Sequence, residues 1–299
     1  MGDKVPETLL AGGTVAIPHL PSVMSDKPID DKTTAAADAI EEVARRSTFA
    51  IVTGSGEHKW AGLGTGTLVR WDRGLFILTA DHVIGDTRVE DLRFFFPNET
   101  TPMPVSRESL FALKGVRASG LRPFTNLNVG RVCRDATLDL AAIPVEQRAI
   151  ERSSATAFEL SDEAVEATPG TSSLVVGFPH DIARVLKKDD SRVVFTQFDW
   201  APVAEPGERP PSFDESQHFL AGYTPAHSAP GADPSGLSGA ARWARRGSTP
   251  RIWHPNIDII GVTVTYYRGS QLLKMVRRSV VNEFLRKASR VTALGSPAV

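Results

Sequence analysis

Residues 64–84 carry the run that decides the fold: Gly64-Thr65-Gly66-Thr67-Leu68-Val69, a short interval, then Leu75-Phe76-Ile77-Leu78-Thr79-Ala80-Asp81-His82-Val83-Ile84. Val, Ile, Leu, Phe and Thr dominate both halves, and Asp72, Arg73 and Gly74 part them, the composition of two strands joined by a tight turn. The second strand runs into a turn that carries one histidine, His82. The same texture continues on either side of this pair. Strands are expected at 48–53, 64–71, 75–79, 92–96, 127–132, 138–143, 172–177, 193–198, 219–223 and 257–267. Many short strands with little helix between them indicate an all-β sandwich or barrels, not βαβ units.

Helical periodicity is confined to the flanks. Residues 1 to about 32 are rich in Pro, Gly, Asp and Thr and read as an irregular arm. From Thr34 a short amphipathic helix is expected, with Ala36, Ile40, Val43 and Ala44 on one face, ending near Arg46. Arg45-Arg46-Ser47 reads as two solvated arginines closing that helix, ahead of the rival reading of a processing site. A closing helix is expected from Ser270 to Lys287, where Leu272, Leu273, Val276, Val280, Phe284 and Leu285 form an apolar face to cover a barrel. Between the strands, 202–212 and 227–234 read as long loops. A stretch at 242–256 with Arg245, Arg246, Trp243 and Trp253 reads as a solvated insertion ahead of a nucleic-acid patch.

Composition narrows the class. The chain has 299 residues and 41% hydrophobic content, enough for a substantial core. Lys and Arg number 34 against 35 for Asp and Glu, so overall charge gives no reason to expect nucleic acid or an anionic membrane as partner. Cys133 is alone, Met1 to Pro21 lacks the pattern of a signal peptide, and no apolar run is long enough for a membrane span. A cytoplasmic, reducing location is the expectation. Of the remaining histidines, His19, His58, His180, His218, His227 and His254 show no metal-ligand spacing, and no cofactor is implied.

Chemistry enters with Asp233-Pro234-Ser235-Gly236-Leu237-Ser238-Gly239-Ala240. Glycines on either side of a serine suit a tight loop whose amide N–H groups turn outward together. Alone, the pattern is also that of a surface turn. Asp139-Leu140-Ala141-Ala142-Ile143 places an aspartate at the head of an apolar strand. A serine hydroxyl is a poor nucleophile until an imidazole takes its proton, and the imidazole needs a carboxylate to fix its tautomer. His82, Asp139 and Ser238 supply one of each.

These motifs resemble the chymotrypsin superfamily of trypsin-like serine peptidases, most closely the bacterial trypsin-like and high-temperature-requirement branches without a PDZ domain. Thr79-Ala80-Asp81-His82-Val83 is similar to the family's histidine motif, Asp139-Leu140-Ala141 to its aspartate motif, and Pro234 to Ala240, with Ser235 interposed, to its nucleophile motif. Pro169-Gly170 and Gly177-Phe178-Pro179 resemble the opening of its second half. The likeness spans about Ser47 to Phe284. It implies two six-stranded antiparallel β-barrels: 47–160 carrying His82 and Asp139, and 161–299 carrying Ser238 and the closing helix, with 1–46 as arm and helix. It further implies Ser238 as nucleophile, His82 as general base then acid, Asp139 as orienting carboxylate, and the amides of Gly236 and Ser238 as oxyanion hole. The specificity pocket would involve Ala232 or Asp233 with Val264 and Thr265.

Several positions depart from the family. Leu237 stands where zymogen-activated members carry an aspartate, and Ala240 where glycine is usual. Val264 takes the place of a serine behind the aspartate, leaving Thr263 or Thr265 as substitutes. Ser235 and Asp135 lie outside the matching motifs and are set aside as nucleophile and carboxylate, and Cys133 reads as a small buried thiol. The resulting expectation is a serine endopeptidase acting on protein or peptide substrates, with a regulatory protein as a further partner. The alternative is a catalytically inactive or latent module on the same fold that binds peptides or serves as a scaffold. No peptide-binding module is expected after the catalytic part, so regulation falls to the N-terminal arm or to insertions at 199–218 and 242–256 gating the cleft.

Overall fold

The computed structural model describes residues 40–53, 61–88, 91–95, 114–117, 132–150, 155–178, 193–205, 209–210, 212–223, 234–246 and 257–294. The quoted pair forms a hairpin, β2 (Ala61–Trp71) against β3 (Gly74–Thr79), with Thr67 opposite Leu78 and Val69 opposite Phe76. Asp72 makes the turn in the left-handed region at φ 53°, which short polar side chains tolerate best after glycine. Around the hairpin lie β1 (Thr48–Thr53), β4 (Leu92–Phe95), β6 (Cys133–Asp135) and β7 (Leu140–Pro144), in the antiparallel order β4-β1-β2-β3-β7-β6. A short β8 (Phe158–Leu160) adds in parallel to β2.

The second sheet orders β11 (His218–Gly222), β14 (Leu272–Arg277), β13 (Ile257–Tyr267), β12 (Ala241–Arg245), β9 (Ser172–Gly177), β10 (Val193–Pro202) and β5 (Lys114–Arg117). It closes on itself. Val203, just past β10, bridges Ala221 of β11, and the Ala204 amide donates to Leu220 O at 2.8 Å. The architecture is therefore all-β, two six-stranded antiparallel sheets with a seventh strand attached to each and the second rolled into a barrel.

Burial explains why the hairpin reads as continuous apolar sequence. Leu75 to Leu78 are buried on both faces, because one looks into the first sheet's interior and the other meets the rest of the molecule. Val175, Phe219, Tyr223, Ile260, Leu273 and Met275 fill the second barrel. Leu174, Trp243, Ile259, Val264 and Val276 instead join the core of the first sheet. Into that shared core packs the C-terminal helix α4 (Arg278–Leu294), through Val281, Phe284, Leu285 and Ala288. The other helices are α1 (40–47), α2 (Asp81–Ile84) and α3 (Gln147–Ile150). No helix among the described residues is long and apolar enough to cross a membrane.

Several expectations are corrected. The closing helix does not begin at Ser270: Leu272–Arg277 is a strand, β14, and the helix runs from Arg278 to Leu294. The apolar residues at 272, 273 and 276 fit either period, but β11 and β13 each have an edge whose amides need partners, and β14 satisfies both. Residues 241–245 are not insertion loop but β12, with Arg242 and Trp243 fully buried. The Arg242 guanidinium is tolerated there because it donates to Ser173 Oγ at 2.9 Å and to the carbonyls of Ser173 and Ala201. With β10 reaching Pro202, the gating insertions shrink accordingly, and 247–256 lies outside the described residues. Of the strand expected at 127–132 only Val132 is described, just ahead of β6, while the one expected at 138–143 begins at Leu140. β5 and β8 were not expected at all. Arg45 and Arg46 both pair with Glu42, while Ser47 is buried with its hydroxyl on Thr156 O at 2.8 Å. Cys133 is partly exposed, its thiol 3.9 Å from Ala288 O.

Candidate active site

The histidine is held by a short helix and a strained turn. β3 ends at Thr79, Ala80 caps α2 in extended geometry, and Gly85 at φ 51° ends it after one turn. Residues 136–139 form the turn between β6 and β7, and Asp139 closes it at φ 55°. This left-handed bend is one that Asp accommodates, and it lets Asp139 grip α2 from the side. The Asp81 amide donates to Asp139 O at 3.1 Å and the His82 amide to Asp139 Oδ1 at 2.9 Å. The other oxygen, Oδ2, lies 2.7 Å from His82 Nδ1. With Nδ1–H donated to the carboxylate, Nε2 remains the basic nitrogen. The hydrogen bond to Asp139 raises the His82 pKa above its ordinary value, against partial burial, and the charges of Asp139 and Asp81 act in the same direction. Asp81 is itself fixed by Arg134 of β6, with Nε 2.5 Å from Oδ1. The rejected Asp135 caps its own turn, accepting from the amides of Thr137 and Leu138 at 3.1 Å each.

The serine loop is two linked turns built on positive-φ glycines, Gly236 at 103° and Gly239 at 86°. Leu237 N donates to Pro234 O and Ala240 N to Leu237 O, at 2.8 and 2.9 Å. Leu237 is buried in the second barrel, as is Ala240, whose methyl fits there without a left-handed backbone. Gly239 N on Thr263 O and Thr263 N on Ala240 O, both 2.8 Å, anchor the loop to β13. The amides of Leu237, Gly239 and Ala240 are thus consumed, whereas those of Gly236 and Ser238 have no acceptor among the described residues.

A row of threonines sutures this loop to the first sheet. Thr65 N donates to Ser238 O at 2.9 Å, and Thr65 Oγ1 donates to Gly236 O at 2.6 Å while accepting from Phe178 N at 3.1 Å. Thr79 Oγ1 donates to Thr65 O at 2.7 Å, and Thr67 Oγ1 accepts from Ala241 N at 3.2 Å. The approach is close enough to demand glycine on both sides. A Cβ on Gly64 would lie 2.6 Å from Val83 and 2.9 Å from Ser238 O; one on Gly239 would collide with Thr65 O, Thr79 Oγ1 and Ala80 N. The histidine turn and the serine loop are therefore packed against one another across Gly64, Thr65 and Ala80. Ser238 is partly exposed there, and His82 is half exposed.

Other expected residues fall out differently. Val264 is buried on β13 and Thr265 beside it is partly exposed. Neither threonine substitutes for the serine behind Asp139: among the described residues Thr263 Oγ1 is buried without a hydrogen-bond partner, and Thr265 makes no bond to that carboxylate. Ala232 and Asp233 lie outside the described residues, as do His19, His58, His180, His227 and His254. His218 is buried in β11. Sequence reasoning missed Arg134, which nothing in its neighbourhood marks. It also missed the role of Thr65 and Thr67, although the Gly-Thr-Gly-Thr alternation sets both threonines on one face and leaves the other open to close approach.

No family model matches the chain, and no curated protein does. Solved structures do match. One comes from a study of aromatic interactions in the coupled folding and binding of the intrinsically disordered Sesbania mosaic virus VPg protein; it covers 80% of this chain and 90% of its own, at 14% identity and TM-score 0.44. Another is Rv3671c from M. tuberculosis H37Rv, a serine-to-alanine mutant in inactive form, covering 89% of this chain and 96% of its own at 13% identity and TM-score 0.47.

Proposed function

We propose that the protein is a serine endopeptidase of the trypsin-like kind, with His82, Asp139 and Ser238 as its triad. The observation that carries the reading is the bidentate grip of Asp139 on His82 beside a serine loop whose Gly236 and Ser238 amides are the two left without acceptors. In this reading Ser238 Oγ attacks the scissile carbonyl as His82 Nε2 takes its proton. The Gly236 and Ser238 N–H groups receive the oxyanion, and the imidazolium, stabilised by Asp139, protonates the leaving amine. Water then attacks the acyl-enzyme by the same proton path in reverse. The pocket contributions of Ala232, Asp233, Val264 and Thr265 belong to this proposal, as do protein or peptide substrates. Leu237, buried in the second barrel, carries no carboxylate to pair with a newly cut N-terminus, so in this reading activation by that route does not apply.

A second reading, a latent peptide-binding or scaffold module, draws on Val264, which offers Asp139 no hydroxyl. The discriminating experiment is labelling with a fluorophosphonate probe together with casein hydrolysis, on wild type and Ser238→Ala. The peptidase reading expects both signals in wild type and neither in the variant. Labelling that survives in Ser238→Ala refutes the assignment, and peptide binding without labelling in either protein favours the scaffold.

A further inference from the structure

Lys274 lies in the middle of β14, opposite Thr265 of β13 on one side and Leu220 of β11 on the other. Paired residues share a face, with Cβ atoms about 5 Å apart, so the lysine and the Thr265 hydroxyl project together. Leu273 and Met275 point into the second barrel, which turns Lys274 to the opposite face with Val276, toward the first sheet. Thr265 is two residues beyond Thr263, whose amide and carbonyl hold the serine loop at Ala240 and Gly239. Two residues of strand span about 7 Å, so the pair stands within a short peptide's length of Ser238.

The lysine is only 8% exposed, and among the described residues its ammonium has neither a hydrogen bond nor an ion pair. The adjoining strands offer no counter-charge. β11 and β14 contain no acidic residue, and the one in β13, Asp258, pairs with Arg246 and Arg278. His218, on the same face two residues before Leu220, adds a second base, and its ring meets Asp214 only through the backbone. The Lys274 ammonium is not among the described polar atoms sealed away without a partner, so the buried stem carries its charge to a surface. A charge held in this way costs stability that leucine or methionine at 274 would not, unless a group of opposite sign completes it.

We propose that Lys274 and the Thr265 hydroxyl are a specificity-determining pair that selects substrates with an acidic side chain two to four residues from the scissile bond. This deepens the peptidase reading and rests on it. The ammonium meets one oxygen of the substrate carboxylate, and the hydroxyl donates a hydrogen bond to the other.

The test compares matched peptides carrying Glu or Gln at each of the four positions on either side of one scissile bond. Cleavage is read in the wild type, and binding in the full-length Ser238→Ala protein, where no turnover is needed. At a position two to four residues out, Glu should be preferred about 5- to 30-fold in both readouts. Lys274→Met should bring that ratio near one, Lys274→Arg should keep it, and Lys274→Glu should reverse it in favour of a Lys peptide. Thr265→Val should lower it by about 2- to 5-fold. The methionine variant should melt no lower than wild type, because it removes an unpaired buried charge. If it does not fold, Lys274→Gln reads the same loss of preference. A wild type that labels and cleaves with no preference for Glu overturns the proposal and leaves the peptidase reading standing. So does a preference that survives Lys274→Met, or a lower melting point with the ratio unchanged, either of which reduces Lys274 to packing. Peptides neither bound nor cleaved overturn both. A Glu preference in binding that Lys274→Met abolishes, in a protein that neither labels nor cleaves, upholds the pair and counts against the peptidase reading.

Discussion

Thr65→Val isolates one hydroxyl that joins the two sheets. Valine keeps the shape and the β-branched fit of β2 and removes only Oγ1, which donates to Gly236 O at 2.6 Å and accepts from Phe178 N at 3.1 Å. Thr65 is fully buried, so the Gly236 carbonyl and the Phe178 amide are left without water to replace it. A buried polar group stranded in this way costs about 1–3 kcal/mol, so two of them cost about 2–4 kcal/mol after partial relaxation. With about 2.1 cal/mol/K of unfolding entropy per residue over 299 residues, that lowers Tm by on the order of 3 to 6 °C. The same carbonyl fixes the peptide that separates the two acceptor-free amides, so the oxyanion site loosens as well. Losing one well-placed donor there costs about 100- to 1,000-fold in rate, and a merely mobile one less, so the variant should label with fluorophosphonate about 10- to 100-fold more slowly. Thr65→Ser, which keeps the hydroxyl, should recover most of both losses. The assays are thermal melts and labelling time courses on the three proteins. A valine variant that melts and labels like wild type would falsify the claim that this suture orders the serine loop.

Three further perturbations bear on the same geometry. Asp139→Asn removes the hydrogen bond and charge that raise the His82 pKa, leaving burial to lower it; the acid limb of kcat/KM, expected above pH 6.5 in wild type because the base must be neutral, should move below it while kcat falls about 10,000-fold, as a pH–rate profile will show. Gly239→Ala places a methyl against Thr65 O and Thr79 Oγ1 at φ 86°, and a displacement of about 1 Å in the serine should slow labelling by at least roughly 100-fold; normal labelling would mean the loop is not so tightly seated. Asp258→Asn strips the counter-charge from Arg278, whose pKa burial brings down to about 10 and which also holds Asn282 and Ser161 O; the expected loss, about 3–5 kcal/mol by chemical denaturation, should be partly recovered by pairing Asp258→Leu with Arg278→Met.

The hairpin at 64–79 and the strands at 48–53, 172–177 and 257–267 were legible because two-residue alternation or unbroken β-branched runs had no competing helical period. Leu272 to Arg277 was not legible, since a buried lysine among leucines and valines fits an amphipathic helix as readily as a strand covered on both faces. Arg242 misled for a related reason: a charge reads as solvent-facing unless the carbonyls that will receive it are known, and Ser173 and Ala201 are distant in sequence. His82, Asp139 and Ser238 were named from short motifs, and the structure brings the first two into hydrogen-bond contact and packs the serine loop beside them.

Local chemistry by itself settled that this chain makes strands, where its turns fall, and which side chains are suited to proton transfer and attack. Periodicity, glycine and the donor inventory of each residue are properties of a few neighbouring positions and need no knowledge of the rest. Tertiary structure alone decided what faces what: that Thr65 holds the Gly236 carbonyl, that Arg134 steadies Asp81, and that Lys274 lies buried on the face toward the first sheet. Those partners lie from 53 to 171 residues apart in the two bonded cases, and a hydrogen bond over such a separation depends on sheet order and register, which no local pattern encodes.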